Sequence, residues 1–291
     1  MAVKVILLVL FFAVMVGVGI SCRRHTTDVN GFVLGGRSVG PWLTAFAYGT
    51  SYFSAVIFIG YAGQFGWKFG VASTWIGLGN AFLGSLLAWV VLGRRTRLLT
   101  QKLGTATMPE FFGKRFSSPA LKVSAALIVF VFLIPYTASL YNGLSRLFSM
   151  AFSIDYGICI LVMAVLTGVY VIAGGYMATA VNDFIQGIIM LFGIVAVIAA
   201  VLSLNGGFTG SIAALANVSD PETNIPGVFA SFFGPDPFGL FAVVILTSLG
   251  TWGLPQMVQK FYAIKNEKAI EKGTVISTLF AVVVAGGCYF L

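Results

Sequence analysis

The sequence predicts an all-α fold, a polytopic transmembrane helical bundle, from three observations. Hydrophobic residues make up 58% of the 291 residues and charged residues 9%. A soluble domain carries about 25% charged residues, so here apolar side chains must cover the outside as well as the core. Eight apolar segments, at 3–20, 41–65, 71–92, 121–144, 156–173, 181–203, 237–259 and 273–291, each approach the roughly 20 residues that a helix needs to cross hydrocarbon. The basic residues are also unevenly shared. Arg23, Arg24 and Arg37 follow the first segment, Arg94, Arg95, Arg97, Lys102, Lys114, Arg115 and Lys122 the third, and Lys260, Lys265, Lys268 and Lys272 the seventh, together fourteen of the 17. If every segment crosses once, these loops share one side, which the positive-inside rule makes cytoplasmic. The amino terminus then lies outside in a multi-pass protein of the plasma membrane. The net charge of +8 sets topology instead of binding nucleic acid.

Taken in order, the first segment is long and followed at once by Arg23-Arg24, which reads as a retained span, not a cleaved leader. The second opens on Pro41, a residue suited to a helix start, but Gly49-Thr50-Ser51 and Ser54 interrupt it half-way. In the loop after the third, Thr107-Met108-Pro109-Glu110-Phe111-Phe112 sets Pro and Glu early, as in a short amphipathic helix on the inner membrane surface. The fourth, fifth and sixth are plain apolar runs, with Asn182-Asp183 near the start of the sixth. The loop over 205–236 is rich in Gly, Asn, Ser and Pro and carries Asp220, Glu222 and Asp236 but no Lys or Arg; it reads as an outer cover or a plain connector. The seventh is interrupted by Thr247-Ser248, Gly250-Thr251 and Gly253-Leu254-Pro255-Gln256, and the eighth ends at Leu291.

Lipid offers a broken backbone no partners, so an interrupted span must be buried in protein or line a wet cavity. A pair of broken segments in corresponding positions is the sequence pointer to a transporter's midplane site. The second segment runs outward and the seventh inward. If each opens a five-helix unit, 41–204 is one repeat, 237–291 begins its inverted partner, and 3–20 is an extra span, all in a single transmembrane domain over 1–291. The competing reading is that small residues merely let helices pack closely. Asp183 likewise reads either as a functional acid at membrane depth or as a helix cap with Asn182.

Enzyme chemistry is not expected. His25 is the only histidine and falls in a loop, while Cys22, Cys159 and Cys288 are scattered and read as apolar filler, not a disulfide framework. No cofactor is implied, and a channel would call for a ring of charge that the segments lack.

The order of several motifs resembles the sodium:solute symporter family. These are Leu34-Gly35-Gly36-Arg37-Ser38 with Gly40-Pro41, Pro109-Glu110-Phe111-Phe112 with Arg115-Phe116, Gly174-Gly175 followed by Asp183 and Gln186, and Gly253-Leu254-Pro255-Gln256 with Lys260-Phe261. The resemblance implies a leucine-transporter-type fold of ten core helices in two inverted repeats, incomplete here at the carboxyl terminus. It also implies sodium-coupled uptake of a small organic solute, an amino acid, monocarboxylate or vitamin, by alternating access, with a monomer sufficing. Proton-coupled or uncoupled transport on the same fold is the alternative. By resemblance, Thr50 and Phe53 offer carbonyls to sodium together with Ser54. Ser51, Tyr52, Trp252, Leu254, Pro255 and Gln256 line the solute cavity, and Asp183 and Gln186 serve cation passage or an inner gate. Tyr52 stands where the proline symporters have an aspartate, and Ser54-Ala55-Val56 is similar to members that carry monocarboxylates or vitamins. Hydroxyl groups that complete the sodium site belong to an eighth core helix, so the chain is expected to be part of a longer symporter.

Overall fold

A computed structural model describes residues 2–54, 56–204, 206–221 and 224–291. Ala55 of the Ser54-Ala55-Val56 run, Asn205 and Glu222 lie outside the described residues. Among those described, every extended element is helical, and β pairing is limited to two isolated bridges.

The first helix is α1, Ala2–Ser21, which packs against the long helix Tyr156–Leu204. A one-turn-and-a-half helix, α2 (Val29–Leu34), is capped by Asp28, whose carboxylate accepts from Gly31 N–H. Gly35 and Gly36 then take φ of 57° and 63°, a left-handed turn that glycine makes without a Cβ penalty. That turn delivers Pro41 as the first residue of α3, Pro41–Tyr52. The expected interruption follows: the ladder ends with Phe53 N–H donating to Gly49 O at 2.8 Å, and Ile57 N–H next donates to Ser54 O. Helix resumes as a π-helical stretch and then α4, Ala62–Phe69.

The third segment is α5 (Thr74–Gly79) and two π-helical stretches that run on without a stop into α6, Arg94–Leu103. The chain thus stays helical for ten residues past Gly93, where a loop is expected, and Arg97 is drawn into the protein instead of into water. The short amphipathic helix is present as α7, Met108–Arg115. Thr107 Oγ1 accepts from Glu110 N–H, while Glu110 Oε2 accepts from Ala106 N–H at 2.9 Å. That backbone bond, ahead of the nearby Lys114, holds the Glu110 carboxyl below the usual carboxylate range.

Two long helices follow, α8 (Pro119–Phe152) and α9 (Tyr156–Leu204). At about 1.5 Å per residue, the 49 residues of α9 exceed twice the hydrocarbon thickness. Gly175, at φ 56° and ψ −148°, divides it into the expected fifth and sixth segments. Asn182 and Asp183 therefore sit inside the second half of α9, not at its start, and the capping reading of Asp183 is withdrawn. A Cβ on Gly175 would lie 2.8 Å from Phe32 O and 3.0 Å from Thr26 Cγ2. Gly175→Ala is expected to cost about 2 kcal/mol through backbone strain and collision, seen as a lower melting temperature in detergent. Gly168→Ala in the same helix meets nothing within 4 Å and should leave it unchanged or raise it slightly.

The loop before the seventh segment has more structure than a plain connector. It holds α10, Gly207–Ala216, and its far end is pinned, with Trp75 Nε1–H donating to Phe232 O at 3.0 Å and Lys68 3.7 Å from Asp236. The seventh segment is α11, Pro237–Leu249, then a short turn and α12, Pro255–Ala263, bent by 54°. The eighth is α13 (Glu267–Ala281), a π-helical stretch and α14, Gly287–Phe290. Among the described residues, five helical runs are long and apolar enough to cross a membrane, or six if the bent α11–α12 pair is one span. The figure falls below the eight predicted because α9 joins two segments, and the breaks leave the second segment shorter than a full unbroken crossing.

The three basic regions meet at one end of the bundle. Arg37 donates to Thr105 O at 2.5 Å and to Tyr262 O at 3.3 Å, and Arg97 donates to Ile264 O at 2.5 Å and Lys265 O at 3.2 Å. Val39 N–H donates to Ala263 O, and Lys265 N–H donates back to Val39 O. Burial lowers the Arg37 pKa from its ordinary value. Cys22, Cys159 and Cys288 are buried and form no disulfide.

Candidate functional site

The two interrupted helices lie side by side. Tyr52, at the end of α3, is 4% exposed, and its hydroxyl donates to Thr247 O at 2.9 Å, the last turn of α11. Asn80 is the third member: its Oδ1 accepts from Tyr52 Oη at 3.3 Å, Thr247 Oγ1 at 3.0 Å and Ser248 Oγ at 3.1 Å. One buried amide thus gathers hydroxyls from both breaks, in a setting where each such bond replaces a partner that lipid cannot supply. Gly84 makes room for it, since a Cβ there would collide with the Tyr52 hydroxyl. Trp252 Nε1–H donates to Leu83 O at 3.1 Å, which ties the second break to the same helix.

A second polar group lies on the opposite side of α3. The Asp183 carboxylate stands 3.5 Å from Lys260 Nζ, with side chains 22% and 8% exposed. The ammonium also sits 5.2 Å from the centre of the Tyr176 ring, a favourable cation–π placement. The Thr50 hydroxyl, which donates to Phe46 O at 2.9 Å, is an electrostatic neighbour of the same carboxylate. Ser51, Asp183, Gln256 and Lys260 line one cavity of about 410 Å³, whose wall includes Phe32, Val33 and Gly175 from the basic end. Both polar atoms of the Gln256 amide are buried without a hydrogen-bond partner in the protein. An amide left with a free donor and a free acceptor is the kind of orphan that a polar solute or water satisfies.

The predicted site residues therefore separate. Ser51, Gln256 and Asp183 share the cavity, with Thr50 at its edge. Tyr52 does not line it, because its hydroxyl is committed to Asn80 and Thr247. Trp252 is likewise turned to Leu83. Leu254 and Pro255 form the hinge itself: Leu254 is extended at ψ 124°, and Pro255 opens α12, where its missing N–H costs nothing. Phe53 is 1% exposed and its ring stacks on Tyr52 at 4.6 Å, so only its backbone is available to an ion. Ser54 is partly exposed beyond the ladder's end. Gln186 faces α1, its amide 3.6 Å from Met15 Sδ, not the Asp183 carboxylate.

Two residues escaped the sequence reading. Lys260 reads in the sequence as a topological charge and as part of a family motif, with no role at the site, yet it stands four residues after Gln256, one helical turn along the same face. Asn80 was passed over, although an amide in the middle of an apolar segment is itself a signal. Tyr52→Phe is expected to lose about 1–2 kcal/mol by removing a buried hydroxyl from Asn80 and Thr247. It should leave the half-saturating sodium concentration of transport unchanged; a shift in that concentration would put Tyr52 on the ion path.

Two broken helices in contact, a cavity with polar groups beside them and a buried ion pair on its wall belong to a polytopic helical membrane protein. The chain belongs to the sodium:solute symporter family, whose model matches residues 32–291. Similar proteins include the sodium/proline symporter of Staphylococcus aureus, 31% identical over 271 residues, which are 92% of this chain and 51% of that protein. The sodium/proline symporter of S. aureus strain JH9 is 31% identical over 272 residues, with the same shares of each chain. Among solved structures, the substrate-bound outward-open state of a Na+-coupled sialic acid symporter matches with a TM-score of 0.75 at 17% identity, over 96% of this chain and 57% of that one. At that identity the likeness speaks for the fold, which is of the leucine-transporter type. The chain spans about half the length of the curated relatives it matches.

Proposed function

We propose that the protein to which this chain belongs is a secondary carrier that couples inward sodium movement to uptake of a small organic solute by alternating access. The observation that carries this is the meeting of the two helix breaks, with Asp183 and the orphaned Gln256 amide on one cavity wall. Hard oxygen donors suit a hard cation, and they are what this region offers: the carbonyls of Thr50 and Phe53, the Ser54 hydroxyl, and the Asp183 carboxylate further inward. Ser51 and Gln256 hold the solute, an amino acid, monocarboxylate or vitamin in class, and the symporters it resembles include carriers of proline.

The energetics suffice. Each sodium entering down a potential of about 100 mV releases about 2.3 kcal/mol, enough for roughly a fifty-fold solute gradient. No covalent step is required. The inverted repeats 41–204 and 237–291, an external amino terminus and cytoplasmic basic loops complete the reading. The gathering of Arg37, Arg97 and Lys265 at one end supports the last of these. The test is uptake of labelled amino acids and monocarboxylates into vesicles with an inward sodium gradient, against the same gradient of choline. Uptake that is equal in the two would overturn sodium coupling.

A further inference from the structure

We propose that Lys260 is a tethered cation that occupies the Asp183 carboxylate when the transported ion is absent, and that the ion must displace it to bind. This rests on the reading of Asp183 as part of the ion path. Of the four ion pairs among the described residues, Lys260–Asp183 is the one in which both side chains are less than a quarter exposed. A carboxylate at this depth cannot be left bare, because an unpaired buried charge is strongly disfavoured. The ammonium supplies the missing charge from within the protein.

The geometry makes it a competitor and not a permanent fixture. One carboxylate faces two elements: Lys260 on α12, and Thr50 at the interruption of α3, where the carbonyl donors lie. A sodium ion held by those carbonyls would approach the same oxygens that the ammonium now neutralises, and one carboxylate compensates one unit of charge. Lysine carries its charge on a flexible four-carbon stem, and the cavity bounded by Ser51 and Gln256 lies beside it, so the ammonium has room to withdraw. The face of Tyr176 at 5.2 Å offers it a second resting contact. The carrier then keeps Asp183 neutralised in both loaded and empty forms, first by sodium and then by its own lysine. That removes the penalty an empty carrier would meet on its return.

The test is equilibrium binding of radioactive sodium, at fixed pH, to the purified full-length protein to which this chain belongs. Lys260→Gln is expected to lower the half-saturating sodium concentration about tenfold, since the competitor is gone. Lys260→Arg, which keeps the charge, should stay close to wild type, and the double variant Asp183→Asn with Lys260→Gln should bind sodium weakly. A Lys260→Gln protein with unchanged sodium affinity overturns the proposal. The wild type gives a second measurement that no misfolded variant can confuse: sodium, but not choline, should increase modification of the Lys260 amine by an amine-reactive reagent, read by mass spectrometry. No increase also overturns it. If the wild type binds no sodium at all, the sodium reading itself fails. If the wild type binds sodium and Lys260 does not respond, only the competition fails.

Discussion

Asp183→Ala is expected to destabilise the protein by about 3 kcal/mol and to abolish sodium-dependent uptake. Removing one partner of a buried pair leaves the other charge uncompensated, which costs about 3–5 kcal/mol. The lower end applies here because the carboxylate is 22% exposed and its loss leaves Lys260 beside a cavity into which it can turn. Denaturant titration in detergent measures the first effect, and vesicle uptake with and without sodium the second. Asp183→Asn retains the shape and separates the two: stability should recover in part while sodium dependence does not. An Asp183→Asn protein with wild-type sodium dependence would remove Asp183 from the ion path and leave it a structural partner of Lys260.

Asn80→Ala should be nearly as severe, at about 2–3 kcal/mol, although Asn80 is in no ion pair. Its Oδ1 accepts three hydroxyls. Tyr52 keeps Thr247 O and Thr247 keeps Val243 O as second acceptors. A buried hydroxyl deprived of its acceptor costs about 1–3 kcal/mol, and Ser248 is the hydroxyl exposed to that full penalty. The added loss reflects the cavity left by a side chain that is fully buried. Because the amide joins the break after α3 to the break after α11, transport should fall further than stability alone explains. A melting temperature within a degree or so of wild type would show that the two breaks hold together without it.

Much of the frame was legible in the residues. Apolar segment lengths anticipated the five helical runs, or six with the bent α11–α12 pair, that are long and apolar enough among the described residues to cross a membrane, because the hydrocarbon thickness fixes the length of a span. Gly49 to Ser54 and Thr247 to Gln256 located both interruptions, since polar and glycine residues at that depth need a protein-lined environment. Pro109 and Glu110 placed α7, because helix starts obey local rules of capping and charge. Helix ends were less accessible. The run through Arg94 into α6 depends on Arg97 finding the carbonyls of Ile264 and Lys265, some 170 residues away in sequence, whereas the Gly175 division falls in the gap between the fifth and sixth apolar segments.

The candidate site divides in the same way. Ser51, Gln256 and Asp183 were singled out on the sequence and share a cavity wall. Tyr52 was grouped with them because it neighbours Ser51, but successive residues on a helix point about 100° apart, and it faces Asn80. Gln186 was grouped with Asp183 because of a motif, yet it faces α1. Lys260 was legible as a charge and invisible as a partner.

The sequence by itself determined that this is a helical membrane protein of the sodium:solute symporter family with two interrupted spans, since composition, segment length and motif order are properties of the chain alone. The tertiary structure alone decided which interruption touches which, that Tyr52 and Asn80 bind the two breaks together, and that Asp183 shares its charge with Lys260. Such pairings join residues tens to hundreds of positions apart, and only the packing of α3, α9, α11 and α12 against one another brings their atoms within hydrogen-bonding reach.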